Sequence, residues 1–375
     1  MNKNKQHLLH LDYLRGLSAL LVCMGHLRNV FFVDYNDVLV VDSFVVKFFY
    51  FITSLGHQAV MIFFVLSGFL VGGSIIKNLD NFNFKKYLTN RITRLWVVLI
   101  PCLFLTLIID ELLLSNYPEL LQGMYRNVIN SGPSENYSQT LMTLMGNIFF
   151  LQTIFVKTYG TLEPVWSLAN EFWYYILFPL ILIIIDFKNK YNLILKSFYT
   201  IFLLIILYLL PIEIMKYFMI WCFGVFAFYI YDIKKSNYHK FNFLLSLILL
   251  ISALILSKLK ILSLFSNDLL ISLAVSYLII VCPKINLDQN KISKLFKNVI
   301  IHLSNISYTL YLVHFPICML IFCYVIKFEK MHLDLPNFFS YLFYLTIIIS
   351  FSCIFWFIFE KNTNLIRDII YRKIF

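Results

Sequence analysis

The sequence predicts an all-α, polytopic membrane bundle of about ten transmembrane helices with both termini cytoplasmic. Three observations carry that prediction. First, 60% of the 375 residues are hydrophobic and only 14% are charged, whereas a soluble domain carries about 25% charged residues. Second, apolar runs near the ~20 residues needed to cross a bilayer recur along the whole chain. Third, lysine and arginine gather in alternate loops, which sets the orientation. The net charge of +11 therefore reports topology and contact with membrane lipids, and no nucleic acid is expected as a partner. The seven cysteines sit in or beside apolar runs without a Cys-x-x-Cys or Cys/His cluster, so neither a disulfide frame nor a metal site is indicated.

Taken in order, spans are predicted near 11–33, 57–76, 95–114, 165–186, 196–211, 214–232, 241–257, 268–283, 299–326 and 337–359. The polar start Met1 to His10 is followed by a long apolar run with no small-residue cleavage site, which reads as a retained first span and not a signal peptide. With the N-terminus inside, the interior segments collect Lys85, Lys86, Arg91 and Arg94, then Lys234, Lys235 and Lys240, then Lys291, Lys294 and Lys297. The exterior segments hold scattered cations such as Lys47, Arg126, Lys157 and Lys216. Phe44 to Leu55 is apolar but short and interrupted by Lys47, and is placed at the outer interface. The whole chain, 1–375, is read as a single transmembrane domain. Its external loop spans 115–164, with 141–156 as a re-entrant or interfacial segment too short to cross, and its short cytoplasmic tail is 360–375. A spanning 141–156 would move every later loop to the other side and reverse the charge bias.

The groups able to do chemistry begin in the first span, where Asp12, Arg15 and His26 interrupt an apolar run. Ionisable groups inside a span are costly and by default functional. Residues 15 and 26 are eleven apart, which on a helix puts them within roughly 20° of one face and roughly 16 Å apart along the axis. His26 reads either as a general base or transient acyl acceptor, or as a histidine hydrogen-bonded to a neighbouring helix. Arg91 and Arg94 stand at i and i+3 and share a face. Two guanidiniums there suit a phosphate or pyrophosphate, although the pair alone is better explained as an ordinary positive-inside anchor on lipid headgroups.

Ser67 lies in Phe63-Phe64-Val65-Leu66-Ser67-Gly68-Phe69-Leu70, where Gly68 and Gly72 form a small-xxx-small pair for close helix approach. Ser67 has no nucleophile-elbow context, so a packing or substrate-lining role is expected. Glu171 falls a little over one turn into the span opened by Trp166-Ser167-Leu168. It is either a proton-exchanging group that orients His26 or a helix-start carboxylate satisfied by the dipole. Ser304, Ser307, Tyr308, Tyr311 and His314 form one polar stripe on the ninth span, placed behind the reacting groups as support. Glu360-Lys361 is read as capping the bundle at the inner face.

Together these pieces resemble membrane acyltransferase family 3. The likeness rests on Leu11-Asp12-Tyr13-Leu14-Arg15-Gly16 with His26; on Phe63 to Phe69; on Arg91 with Arg94; and on Trp166-Ser167-Leu168 followed by Glu171. It continues through Ser307-Tyr308-Thr309-Leu310-Tyr311-Leu312-Val313-His314-Phe315-Pro316 and ends at Phe359-Glu360-Lys361. Trp96-Val97, Tyr174 and Asn362 depart from the family pattern. The resemblance implies transfer of an acyl group, usually acetyl from cytoplasmic acetyl-CoA (an acyl-CoA co-substrate), to a sugar hydroxyl of a cell-surface or secreted glycan or lipid-linked sugar. It implies location in a bacterial inner membrane. His26, Arg15 and Glu171 become the catalytic residues; Arg91, Arg94 and Ser67 become the acyl-donor contacts, with Asp12, Tyr308 and His314 supporting. A second class stays open: a transporter or flippase for lipid-linked sugars or small solutes that uses Asp12, His26, Glu171 and His314 as a relay.

Overall fold

A computed structural model of the chain describes residues 9–38, 43–118, 137–185, 191–234, 239–282 and 291–374. The helices follow the apolar runs. In order they are α1 (Leu9–Phe31), α2 (Phe44–Thr53), α3 (Gly56–Lys77), α4 (Phe84–Asn116), α5 (Leu141–Ile148), α6 (Trp166–Ile185) and α7 (Leu193–Leu209). They continue as α8 (Ile212–Lys234), α9 (Lys240–Leu259), α10 (Leu264–Val281), α11 (Lys291–Leu320), α12 (Leu335–Ile358) and α13 (Thr363–Ile374). Among the described residues there is no β-strand, only the isolated bridges Phe32–Met331 and Gln152–Val156. The chain is an all-α polytopic membrane bundle.

All ten predicted spans fall on these helices. Eight described segments are long and apolar enough to cross a bilayer. The other two are α1, whose hydropathy is diluted by Asp12, Arg15, His26 and Arg28, and α7, which has 17 residues. Residues 119–136, the middle of the predicted external loop with its Arg126, lie outside the described residues, as does Lys235 of the charge argument.

By compactness the chain divides into two units, each assembled from separated stretches of sequence. The first comprises Met1–Val22, Ser54–Ser74 and Met219–Tyr308. Within it α9 packs on α10 and α10 on α3. Glycines set the crossing of α3 and α8: a Cβ on Gly68 would lie 1.9 Å from the Trp221 carbonyl oxygen, and one on Gly224 would lie 2.0 Å from that of Val65. The backbones meet there directly, as the small-residue spacing predicts. At this crossing α3 widens into a π-helical turn over Gly68–Gly72.

The second unit comprises Cys23–Thr53, Ile75–Phe218 and Thr309–Phe375. Here α4 is the central strut, packed by α5, α6 and α13, and α6 carries α7. The predicted tail is a docked helix: the Tyr371 hydroxyl on α13 donates to Asn90 Oδ1 on α4 at 2.6 Å. The predicted interfacial segment 141–156 is the eight-residue helix α5 followed by a tight turn in which Phe150 and Thr153 adopt positive φ. Eight residues rise only about 12 Å. Indole donors hold this hairpin, Trp96 Nε1 to the Ile148 carbonyl at 2.8 Å and Trp173 Nε1 to the Phe150 carbonyl at 3.0 Å.

Candidate active site

In the second unit, α1 and α11 bring His26 and His314 together. His26 Nδ1 lies 2.8 Å from His314 Nε2, with the rings nearly parallel. Phe315 closes one side of His26 edge-on at 5.0 Å. α1 is held in place here by close backbone contact and by a hydrogen bond. A Cβ on Gly25 would lie 2.6 Å from the Thr53 carbonyl oxygen, and the Tyr341 hydroxyl donates to the Met24 carbonyl at 2.9 Å.

Hydrogen-bond chemistry assigns the protons of the pair. His314 is fully buried, and its Nδ1 lies 2.9 Å from the Leu310 carbonyl, one turn earlier in α11. A carbonyl only accepts, so Nδ1 of His314 carries the hydrogen, and in the neutral ring Nε2 is the acceptor. His26 Nδ1 then donates to it, which leaves the lone pair of His26 on Nε2. A neutral imidazole with a free Nε2 is the form a general base or acyl acceptor requires. His26 is half-buried, its partner sealed.

One turn before His314, the Tyr311 hydroxyl donates to the Pro164 carbonyl at 2.9 Å and accepts from Ser167 Oγ at 2.6 Å. The entry to α6 is thereby tied to the turn of α11 beneath the histidine pair.

The two arginines expected to act as one clamp have different neighbours. Arg94 Nη1 is 2.5 Å from Glu360 Oε1, and Glu360 is buried, its other oxygen accepting from the Thr309 amide at 3.2 Å and from the Thr309 hydroxyl. Arg91 stacks on Tyr87, 5.6 Å from the ring centroid, and lies 6.0 Å from that of Tyr175. The Tyr175 hydroxyl in turn donates to Glu171 Oε1. Arg91 and Glu171 therefore belong to one cluster on α4 and α6, while Arg94 ties α4 to Glu360 at the end of α12, which also accepts from Thr309 on α11.

In the first unit, Ser304 Oγ donates to Asp12 Oδ1 at 2.8 Å, and Arg15 Nη1 stands 3.9 Å from the same oxygen and 3.5 Å from the serine. Gly16 makes room for this contact, since a Cβ there would lie 3.0 Å from the Leu303 side chain. Tyr308 follows one turn later, half-buried. Ser67 is buried and accepts from Trp221 Nε1 at 3.1 Å across the α3–α8 crossing. A further histidine, His57, places Nε2 2.9 Å from both oxygens of Asp268.

A family model described as an acyltransferase domain matches residues 8–359. The chain belongs to acyltransferase family 3. No curated protein and no solved structure matches it. Membership makes the protein a membrane acyltransferase and answers the choice left open above between an enzyme and a transporter. Among the acyltransferase's described residues no group of three or more His, Cys, Asp or Glu is placed to hold a metal ion.

The structure adds partners to three residues of this acyltransferase that the sequence could not supply. His314, expected behind the reacting groups, is the hydrogen-bond partner of His26. Its position near the middle of the predicted span 299–326 is the signal available in the sequence. Glu360, read as an interfacial cap, is 4% exposed and fully engaged. The signal was its place directly after an apolar span. Asp110, passed over within the third span, accepts from the Thr161 amide at 2.8 Å, the Thr161 hydroxyl at 2.6 Å and the Tyr137 hydroxyl at 3.0 Å. Burial, with the Asp110 carboxylate adding to it, pushes the Tyr137 phenol well above its ordinary range, so it stays a donor.

Proposed function

We propose that this acyltransferase moves an acetyl (acyl) group from acetyl-CoA to a sugar hydroxyl of a cell-surface or secreted glycan, in a bacterial inner membrane. The observation that carries the chemistry is the Leu310–His314–His26 relay, which leaves His26 Nε2 unprotonated and fixed in direction. In the proposed step His26 Nε2 takes the proton of the acceptor hydroxyl as its oxygen attacks the thioester carbonyl. The new C–O bond forms, the C–S bond breaks, and the proton passes from His26 to the departing CoA sulfur. The same nitrogen is the atom that would carry the acyl group in a two-step route.

Arg91 is the better-suited donor contact of the two arginines. A guanidinium stacked on aromatic rings keeps its N–H edge for phosphate oxygens, whereas Arg94 is already engaged by Glu360. Glu171, held by Tyr175 beside Arg91, keeps that cation oriented. Ser67, Asp12 and Tyr308 take supporting parts, and Arg15 keeps the catalytic role that the family pattern gives it.

The test is NMR of the surface polysaccharide from cells making wild-type or His26→Ala protein, with membrane insertion checked for both. O-acetyl signals are expected from the wild type and absent from the variant. Undiminished signals in a properly inserted His26→Ala protein would overturn the assignment. Donor identity is read from purified protein, where acetyl-CoA should be consumed with release of free thiol in an acceptor-dependent manner.

A further inference from the structure

The second unit contains an open cleft of about 610 Å³ that none of the catalytic groups uses. It lies within the usual ~300–1,000 Å³ of small-molecule sites. Its wall comes from α5, the turn after it and the entry to α6. Thr143, Thr153, Thr158, Lys157, Glu163 and Trp166 line it beside apolar residues of the same hairpin. Trp166 is half-buried, with the Tyr217 ring tilted against it at 6.0 Å, and it lines the cleft.

The cleft is also rigidly framed. Both ends of the loop that forms it are bound to the buried Asp110, through Tyr137 and Thr161. The Gly160 amide donates to the Ser138 carbonyl at 3.0 Å with Gly160 at φ +54°, and a Cβ there would fall 1.9 Å from Asp110 Oδ2. Asn147 donates to the Lys157 carbonyl at 2.8 Å.

One side of the same hairpin is apolar and outward-facing. Met142 and Phe155, which line the cleft, are 73% and 57% exposed, and Leu141, Met145 and Phe149 continue that face. An exposed apolar edge beside a polar cleft suits the boundary between hydrocarbon and headgroups. The wall of the cleft is tied to the helix that carries His314: Pro164, between Glu163 and Trp166, accepts the Tyr311 hydroxyl one turn from His314.

We propose that this cleft is the acceptor subsite and that it takes the sugar of a lipid-anchored glycan. Trp166 stacks on the C–H face of a pyranose ring, Glu163, Lys157 and the threonine hydroxyls take its hydroxyls, and Met142 and Phe155 meet the start of the lipid. The proposal rests on the reading above that the acyl acceptor is a glycan hydroxyl.

The full chain in nanodiscs is titrated with methyl glycosides of glucose, N-acetylglucosamine and rhamnose, and with the same sugars on a dodecyl chain. Binding is followed by saturation-transfer NMR. Transfer to ring C–H protons is expected for at least one sugar. Trp166→Ala should weaken it by about tenfold and Trp166→Phe by less, since the ring face is what stacks. Glu163→Gln and Lys157→Gln, at the cleft edge, should each weaken it several-fold on the usual hydrogen-bond scale. Met142→Ser with Phe155→Ser should weaken only the dodecyl glycosides. Equal loss for both series would overturn the lipid-anchored assignment, and equal binding by wild type, Trp166→Ala and Glu163→Gln would overturn the subsite. Acylation in cells separates the two readings. If a glycan is acylated in a His26-dependent way with unchanged acceptor dependence in Glu163→Gln and Lys157→Gln, the cleft fails and the glycan reading stands. If the wild type acylates only non-sugar acceptors, the glycan reading fails and takes the subsite with it.

Discussion

Two histidines in this chain are each held by one strong partner, and the partners make them different devices. His57 points Nε2 at both oxygens of Asp268, 2.9 Å from each, and the carboxylate is buried at the start of α10. A carboxylate can only accept, so one contact fixes the proton on Nε2. His26 is held by His314, which accepts only because its own proton is committed to Leu310. The first arrangement joins two helices of the first unit through a histidine–carboxylate contact. The second is a neutral chain, in which direction is set two bonds away from the nitrogen that is left free. A base that must surrender its proton to a thiolate is served by the second kind of partner, because a carboxylate neighbour favours the charged imidazolium.

The largest effect should come from breaking the relay at its end. His26→Ala is expected to lower the acyl-transfer rate by about 10²–10⁴, the usual share of a positioned general base. Acceptor-dependent thiol release from acetyl-CoA by purified protein checks this. A rate within a factor of two of wild type would remove His26 from the chemistry. His314→Phe, which keeps the ring and removes both nitrogens, should cost less, roughly 10–10²-fold, in kcat and not in KM, on the scale of supporting residues behind a reacting group. His314→Gln, whose carbonyl accepts from His26 Nδ1, should recover part of the loss. A change confined to KM would mean that His314 shapes binding and leaves proton placement alone.

The fold was almost wholly legible because its signal is crude. Apolar length locates spans wherever loops are short, and the small residues Gly68 and Gly72 announce a backbone crossing. The site was legible only in part, because residues that act together are far apart in sequence. His26 and His314 are separated by 288 positions, and nothing in either stretch names the other. Arg91 and Arg94 look like one clamp, since i and i+3 share a helix face. Which of them stays available depends on Glu360, which lies far beyond them in the chain. Asp110 and the cleft it frames gave no pattern at all: scattered threonines, one lysine and one tryptophan become a lining only after Gly160 turns the chain back.

The His57–Asp268 pair should respond in stability and leave chemistry unaltered. His57→Ala strands a buried carboxylate. Breaking a fully buried pair this way costs about 3–5 kcal/mol, and His57 is 30% exposed, so the low end applies after solvent screening. Thermal unfolding in detergent should show a clear drop, with Asp268→Asn milder because its amide oxygen still accepts. Folded His57→Ala protein should retain its per-molecule rate. A loss of rate without a loss of stability would place this pair in the machinery and erase the contrast with His26.

The smallest effect sharpens the comparison from inside the second unit. Tyr311→Phe removes one hydroxyl that donates to Pro164 and accepts from Ser167, while leaving the Leu310 carbonyl and both imidazoles untouched. The stability cost should be about 0.5–1.5 kcal/mol, one hydrogen bond's worth. If the relay is fixed by Leu310 alone, kcat should stay within about twofold of wild type, since no bond to an imidazole nitrogen is lost. A tenfold or larger fall in kcat at unchanged stability would show that the tie from α6 to α11 holds His314 in register. His26 would then be positioned through three bonds and not two.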